Sequence, residues 1–247
     1  MKITFLGTSD GVPRAARHCS STMLELNGAT YLFDAGAPVV DILLRRGVEL
    51  TSVRSIFTTH LHGDHVNGVL DFAYLCTWYH KTASLDIYLT EQEGIDGFRS
   101  LIRTMLGGKL CDDRVRFKLM TPEIIYEDEN IRVTPFPTQH MRDANRPAYS
   151  YLIEAEGKKV LLSGDLSHLL AKEDFPVYAL ENEVDLMVCE MAHFDVEHVQ
   201  PYLERCKAKD MRFNHVAPLS KLDKINALGD RFGYPIRTVE DGEVIEL

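Results

Sequence analysis

Several things are missing from this sequence, and each absence removes a class of protein. No Cys-x-x-Cys pair occurs; the five cysteines, Cys19, Cys76, Cys111, Cys189 and Cys206, are odd in number and scattered. That excludes a disulfide framework and a cysteine zinc site, and predicts reduced, mostly buried thiols. No apolar run reaches the roughly 18 residues that a membrane span needs, so no membrane partner is expected. Met1–Gly7 passes directly into a strand and a turn, without the apolar stretch or cleavage site of a signal peptide; a cytoplasmic protein is expected. There is no repeat of about 20–50 residues, no low-complexity tract and no flexible linker. Positive charge is short as well: 27 Lys and Arg against 37 Asp and Glu leave a net charge of −10. A long nucleic acid is usually gripped by a basic face, so a small partner is the easier expectation.

What is present reads as one globular domain spanning 1–247, with 45% hydrophobic and 26% charged residues. Short β-branched and aromatic runs between turn signals predict strands at 2–6, 22–26, 31–34, 55–58, 86–89, 115–119, 131–135, 149–154, 159–163, 185–189, 211–214 and 244–246. Asn27-Gly28 and Glu156-Gly157 predict hairpin turns. Helical patterns fall at 38–46, 66–80, 91–106 (with Thr90 as N-cap), 197–207 and 220–231. Strands with few helices come first, then strands alternate with helices, an α/β (α+β) arrangement in layers. The polar, acidic segment 120–130 is the best candidate for a connection between two halves.

One segment concentrates chemistry. Thr59-His60-Leu61-His62-Gly63-Asp64-His65 places four strong metal ligands within six residues, between a strand and a long helix. Imidazole and carboxylate suit zinc, manganese or iron. A regular strand would point His65 away from His60, His62 and Asp64, so the spacing requires a turn at Gly63.

These residues resemble the signature of the metallo-β-lactamase superfamily, and the Gly-Asp-His ending resembles its ribonuclease Z-like branch. Phe5–Pro13 is similar to that branch's opening Gly-Thr-x-x-x-x-Pro loop, and Phe33-Asp34-Ala35-Gly36 to its Asp-x-Gly turn. The resemblance, nearly end to end, implies a four-layer αββα sandwich and a hydrolase with two divalent cations, zinc first, manganese or iron as alternatives. It also implies a third histidine, a bridging aspartate and a final histidine, each after a strand; His140, Asp165 and His215 stand in that order. His60, His62 and His140 would hold one metal and Asp64, His65 and His215 the other, with Asp165 between. Asp64 would also orient the attacking hydroxide. Asp34 is either the partner of a ligand histidine or a turn residue.

The family also implies a histidine that protonates the leaving group. Two candidates occur, His198, which is the better positional match 17 residues before His215, and His193, which follows a strand; Glu190 can orient either. The departures from the branch are Val199-Gln200 where Ser-Thr is expected, and Ser163-Gly164-Asp165-Leu166-Ser167 around the bridging aspartate. No basic Gly/Pro-rich arm for gripping tRNA is seen. The expected substrate is therefore a small or cyclic phosphodiester, with Ser9, Asp10, Arg17 and Arg142 as candidate contacts, joined by Arg14, His18, Ser20, Ser21, Asn145 and Arg146. A tRNA 3′-processing endonuclease and a thioester or lactone hydrolase are the alternatives on the same ligands. Di-iron oxidoreductase chemistry is disfavoured by His62, and a non-catalytic scaffold by the complete ligand set. A homodimer is a further expectation.

Overall fold

The computed structural model describes residues 1–109, 112–170 and 174–247. The chain forms two compact units: Met1–Gly7, Gly11–Thr121 and Asp241–Glu246 make the first, and Thr8–Asp10, Pro122–Glu240 and Leu247 the second. The change of unit at Thr121–Pro122 falls inside the connecting segment expected from sequence. No single cut of the chain separates the units.

The first unit holds strands β1 (Lys2–Gly7), β2 (Ser21–Leu26), β3 (Ala29–Phe33), β4 (Val53–Phe57), β5 (Leu85–Leu89) and β6 (Val115–Leu119), with helices α1 (Val39–Arg45), α2 (Gly63–Trp78) and α3 (Gln92–Met105). The last strand of the chain, β14 (Val244–Glu246), joins its edge, giving the order β14-β1-β2-β3-β4-β5-β6. The pairs from β14 to β3 are antiparallel, and those from β3 to β6 are parallel. Asn27 and Gly28 take φ of 51° and 77°, as a tight right-twisted hairpin requires. Alternation along the strands sorts side chains by face. Leu32, Ile56 and Ile87 go into a core with Val39, Leu43, Val69, Phe72 and Ala73 from α1 and α2. On the opposite face Phe33 stacks on Phe57, and Phe57 on Tyr88, each at 5.2 Å.

The second unit contains β7 (Tyr126–Glu127), β8 (Arg132–Pro137), β9 (Tyr149–Ala155), β10 (Lys158–Leu162), β11 (Leu186–Met191), β12 (Met211–Val216) and β13 (Ile236–Thr238), with α4 (Val177–Glu181), α5 (Val196–Leu203) and α6 (Lys221–Asn226). They pair in simple order, β7 to β13. Pairs from β7 to β10 are antiparallel and those from β10 to β13 parallel. Each unit is therefore an antiparallel meander that continues into parallel strands, the same seven-stranded plan twice. The second core gathers Leu161, Met187, Cys189, Met211 and Phe213 with Val199 and Leu203 of α5 and Ile225 of α6.

Two strands escaped the sequence reading. β7 has two residues and β13 three, too short to display alternation. The five-residue α4 was missed as well, and α2 begins at Gly63, three residues before the apolar pattern, because Asp64 and His65 occupy its first turn. The N-cap of α3 is Glu91 rather than Thr90. Four cysteines are free and buried; Cys111 lies outside the described residues. Burial pushes the Cys76 thiol up to about 12, so it stays neutral. Among the described residues no helix is long and apolar enough to cross a membrane.

An ion-pair hub in the second unit yields a stability prediction. Asp185 accepts the Lys159 backbone N–H at 3.0 Å and Lys209 Nζ at 3.1 Å, with Lys158 Nζ at 3.5 Å. Burial pushes its carboxyl up, but the Lys159 N–H and the lysine charges outweigh this and hold it below the usual range. A depressed carboxyl binds fewer protons folded than unfolded. Its stabilisation is therefore present above the unfolded value of about 3.9 and lost as pH falls through the lower folded value. The lysines are largely exposed, so only about 1 kcal/mol is expected from the hub. Asp185→Asn should lower the melting temperature by about 2–4 °C at pH 7 and by less at pH 3. An unchanged difference across that range in calorimetry would remove the assigned cause.

Candidate metal centre

Candidate ligands of the first unit follow β4. Parallel strands end in loops at their carboxyl edge, where α/β proteins collect reactive groups. His60 Nε2 and His62 Nδ1 converge to 2.9 Å, and the His60 and His65 rings lie 4.2 Å apart. The turn at Gly63 that brings His65 back to His60 is the one the spacing required. His65 Nε2 faces Asp64 Oδ2 at 3.3 Å.

Asp34, which follows β3, organises this group. Its φ is 58°, a left-handed turn that Asp tolerates better than most residues. Its Oδ2 takes His65 Nδ1–H at 2.7 Å, and its Oδ1 takes the Thr59 N–H at 2.7 Å. The Thr59 hydroxyl also reaches the Asp34 carboxylate and lies 3.0 Å from His60 Nδ1. One carboxylate thus occupies Nδ1 of His65 directly and Nδ1 of His60 through Thr59. Asp34 is thus at once a left-handed turn residue and the hydrogen-bond partner of His65, and the Thr59 relay was missed. Space is tight here: a Cβ on Gly36 would overlap the Asp64 carbonyl oxygen and Cys19, so glycine is required for α2 to approach.

In the second unit three imidazoles surround one carboxylate. Asp165 Oδ2 lies 3.6 Å from His140 Nε2, 3.9 Å from His193 Nε2 and 3.5 Å from His215 Nε2. His140 follows β8, Asp165 follows β10, His193 follows β11, and His215 lies within β12. His140 Nδ1 donates to the Leu166 carbonyl at 3.2 Å, which turns Nε2 toward Asp165. His215 is the extra residue where the β11–β12 register shifts, and its φ is 50°. A bulge re-aims a side chain, and a left-handed non-glycine residue costs on the order of 1–3 kcal/mol.

The two candidate proton donors separate clearly. Glu190 is 3% exposed; its Oε1 accepts His193 Nδ1–H at 2.9 Å and its Oε2 accepts the Ala192 N–H at 2.6 Å. Lys221 Nζ, also buried, donates to the carbonyls of Met191 and Phe194 on either side of His193. His198, the better match by sequence position, is instead exposed in the first turn of α5. Its Nδ1 accepts the Asp195 N–H at 3.4 Å, and it lines a groove with Phe175, Val177, Leu180 and Tyr202. His193, at the end of β11, is the one of the two whose Nε2 lies within 4 Å of Asp165.

The suggested substrate contacts divide as well. Ser9 is buried and donates to Asp10 Oδ1 at 3.2 Å. Arg17 is 7% exposed, with its backbone paired to Arg14, so it is not a solvated loop residue. Arg142 is exposed and donates to Gln139 Oε1 at 3.0 Å; with Asn145 and Arg146 it borders an open depression next to His140.

The donor set fits divalent cations. In each unit imidazole nitrogens face one another or a carboxylate, and the opposite ring nitrogens of His60, His65 and His140 are engaged by oxygens, an arrangement typical of metal-ligating histidines.

Three comparisons place this geometry among known proteins. The chain is 32% identical over 183 residues to a ribonuclease Z of Synechococcus sp. (strain CC9311), covering 72% of this chain and 57% of that protein. The chain spans about half the length of the curated relatives it matches. The metallo-beta-lactamase fold protein YhfI from Bacillus subtilis superposes with a TM-score of 0.81 over 99% of both chains at 17% identity. A diphosphatase from the PhnP family gives 0.74 over 100% of this chain and 97% of that one, at 18% identity. The metallo-β-lactamase sandwich expected from the sequence is thereby borne out. A family model described as anti-Pycsar protein Apyc1 matches residues 1–209, a span that takes in every candidate ligand except His215. The chain is a metallo-β-lactamase-fold protein and belongs to the anti-Pycsar protein Apyc1 family.

Proposed function

We propose that this protein is a metal-dependent phosphodiesterase acting on a small or cyclic phosphodiester, such as a cyclic nucleotide. The observation that carries the proposal is the convergence of His140, His193 and His215 on Asp165, with Glu190 behind His193 alone. His60, His62, Asp64 and His65 in the first unit, and His140, Asp165 and His215 in the second, are the candidate ligands for divalent cations, zinc first. Bound there, the cations would lower the pKa of an attacking water and offset charge on the phosphoryl oxygens.

The chain's own residues do the rest. Asp34 and Thr59 engage the His60 and His65 rings at Nδ1, so that each ring would offer Nε2 to a cation. Glu190 takes the His193 Nδ1–H and so turns Nε2 toward Asp165. His193 then delivers the Nε2 proton to the departing oxygen. Arg142, exposed beside His140, supplies a guanidinium for a phosphate oxygen; Ser9, Asp10 and Arg17 remain candidate contacts on the opening loops.

A small substrate is favoured by the net charge of −10 and by the short passage from β6 to β8, where the described residues carry only the two-residue β7. The name ribonuclease Z on the curated relatives favours a second reading, cleavage of precursor tRNA. Both can be tested together. Zinc- or manganese-loaded protein is given bis-p-nitrophenyl phosphate, cyclic nucleotides, precursor tRNA, and an ester and thioester. The largest kcat/KM is expected for a cyclic or small phosphodiester, with loss on chelation. A larger value for precursor tRNA, or for the ester, would replace the proposal.

A further inference from the structure

We propose that Asp174 is a positioning residue: its carboxylate ties the strand end carrying His140 to the strand end carrying Asp165, and so sets how tightly these residues hold a divalent cation. The inference rests on reading His140 and Asp165 as ligands. It concerns a residue outside the ligand order, nine positions after Asp165.

The sheet alone leaves these ligands unconnected. β8 and β10 are both neighbours of β9, not of each other, so their backbones run about 10 Å apart, two strand spacings. No ladder bond spans that gap, and past the strand ends the two loops need ties of another kind. Asp174 supplies one with both of its oxygens. Oδ1 accepts the Gln139 N–H at 2.7 Å, next to His140. Oδ2 accepts the Ser167 N–H at 2.5 Å, two residues from Asp165. The carboxylate is 7% exposed.

Two other bonds complete the link: Thr138 Oγ1 donates to the Asp165 carbonyl at 3.1 Å, and His140 Nδ1 to the Leu166 carbonyl at 3.2 Å. The Leu166 N–H goes to Glu190 Oε1 at 2.9 Å. His140, Asp165 and His193 are thus registered against one another by two buried carboxylates, Asp174 on one side and Glu190 on the other. Burial pushes the Asp174 carboxyl above the usual range, against the Ser167 and Gln139 N–H donors that pull it down, and the Glu190 charge adds to the rise. A group desolvated in this way is a poor choice for stability alone, and a good one for holding two backbones at a set distance.

The test compares wild type, Asp174→Asn and His140→Ala. Zinc affinity of the metal-free proteins is measured by competition with a chromophoric chelator, and cobalt(II) loading by visible absorption. Asparagine keeps the size but offers one acceptor where two are needed. Asp174→Asn is expected to weaken one zinc site by about 10–100-fold. The cobalt band should change in intensity, while the far-UV circular dichroism stays as in wild type. His140→Ala should lose that site. Wild-type affinity and an unchanged cobalt band in Asp174→Asn, alongside loss in His140→Ala, would overturn the role of Asp174 alone. Equal zinc binding by wild type and His140→Ala would overturn the ligand reading, and the inference with it. Should Asp174→Asn not fold, amide exchange in the wild-type metal-free protein decides. Gln139 and Ser167 N–H are expected to be protected, and fast exchange of either removes the tie.

Discussion

Replacing Asp165 by alanine is expected to lower kcat/KM on the best phosphodiester by at least about 10³-fold, or ~4 kcal/mol of transition-state stabilisation, and to reduce bound metal. The size of the effect follows from position. One carboxylate oxygen lies within 4 Å of three imidazole Nε2 atoms, so its removal leaves three rings facing one another with no anion between them. Asp165→Asn is the sharper variant, since it preserves volume and the backbone bonds of the loop. Metal analysis by mass spectrometry, alongside turnover, reads both consequences. Full metal content with near-wild-type turnover in either variant would end the reading of Asp165 as a ligand.

The second large effect separates His193 from His198. His193→Ala is expected to lower kcat by about 10²–10⁴-fold with KM little changed, the range for losing a proton donor. Metal content should stay near that of wild type. A substrate whose leaving group needs no proton, such as a p-nitrophenyl phosphodiester, should be hurt less than one with an alkoxide leaving group. Glu190→Gln should fall in the same direction by a smaller factor, because Gln offers one acceptor oxygen where Glu190 serves His193, Leu166 and Ala192 with two. His198→Ala should stay within about twofold of wild type, since its side chain caps α5 in the solvent. Equal losses for the two histidine variants would count against the assignment of the donor to His193.

Much of the fold was legible because its causes are local. Short β-branched and aromatic runs between turn signals mark β1 to β6, β8 to β12 and β14, with β1, β3 and β11 buried nearly throughout. Asn27-Gly28 and Glu156-Gly157 announce their hairpins, because their positive φ values are a property of those residue types. What stayed illegible was short or shared. β7, β13 and α4 are too brief for any period to develop, and they exist through pairing with neighbours already in place. The repeated plan of meander followed by parallel strands leaves no sequence repeat, because many apolar residues can fill equivalent positions in two separately packed cores.

The site divides along the same line. The motif from Thr59 to His65 could be read directly, because four candidate ligands within six residues are a local fact, and the resemblance it carried extended to His140, Asp165 and His215. The choice between His193 and His198 could not, since both stand near the end of β11 and only the path of the backbone says which ring meets Asp165. Glu190, Thr59 and Asp174 act through hydrogen bonds to distant loops, and the bulge at His215 exists only against its neighbouring strand. The sequence by itself determined the candidate ligand types and the strand that leads into each. The tertiary structure alone decided which side chains hold them, because a hydrogen bond between loops far apart in the chain leaves no period and no spacing to read.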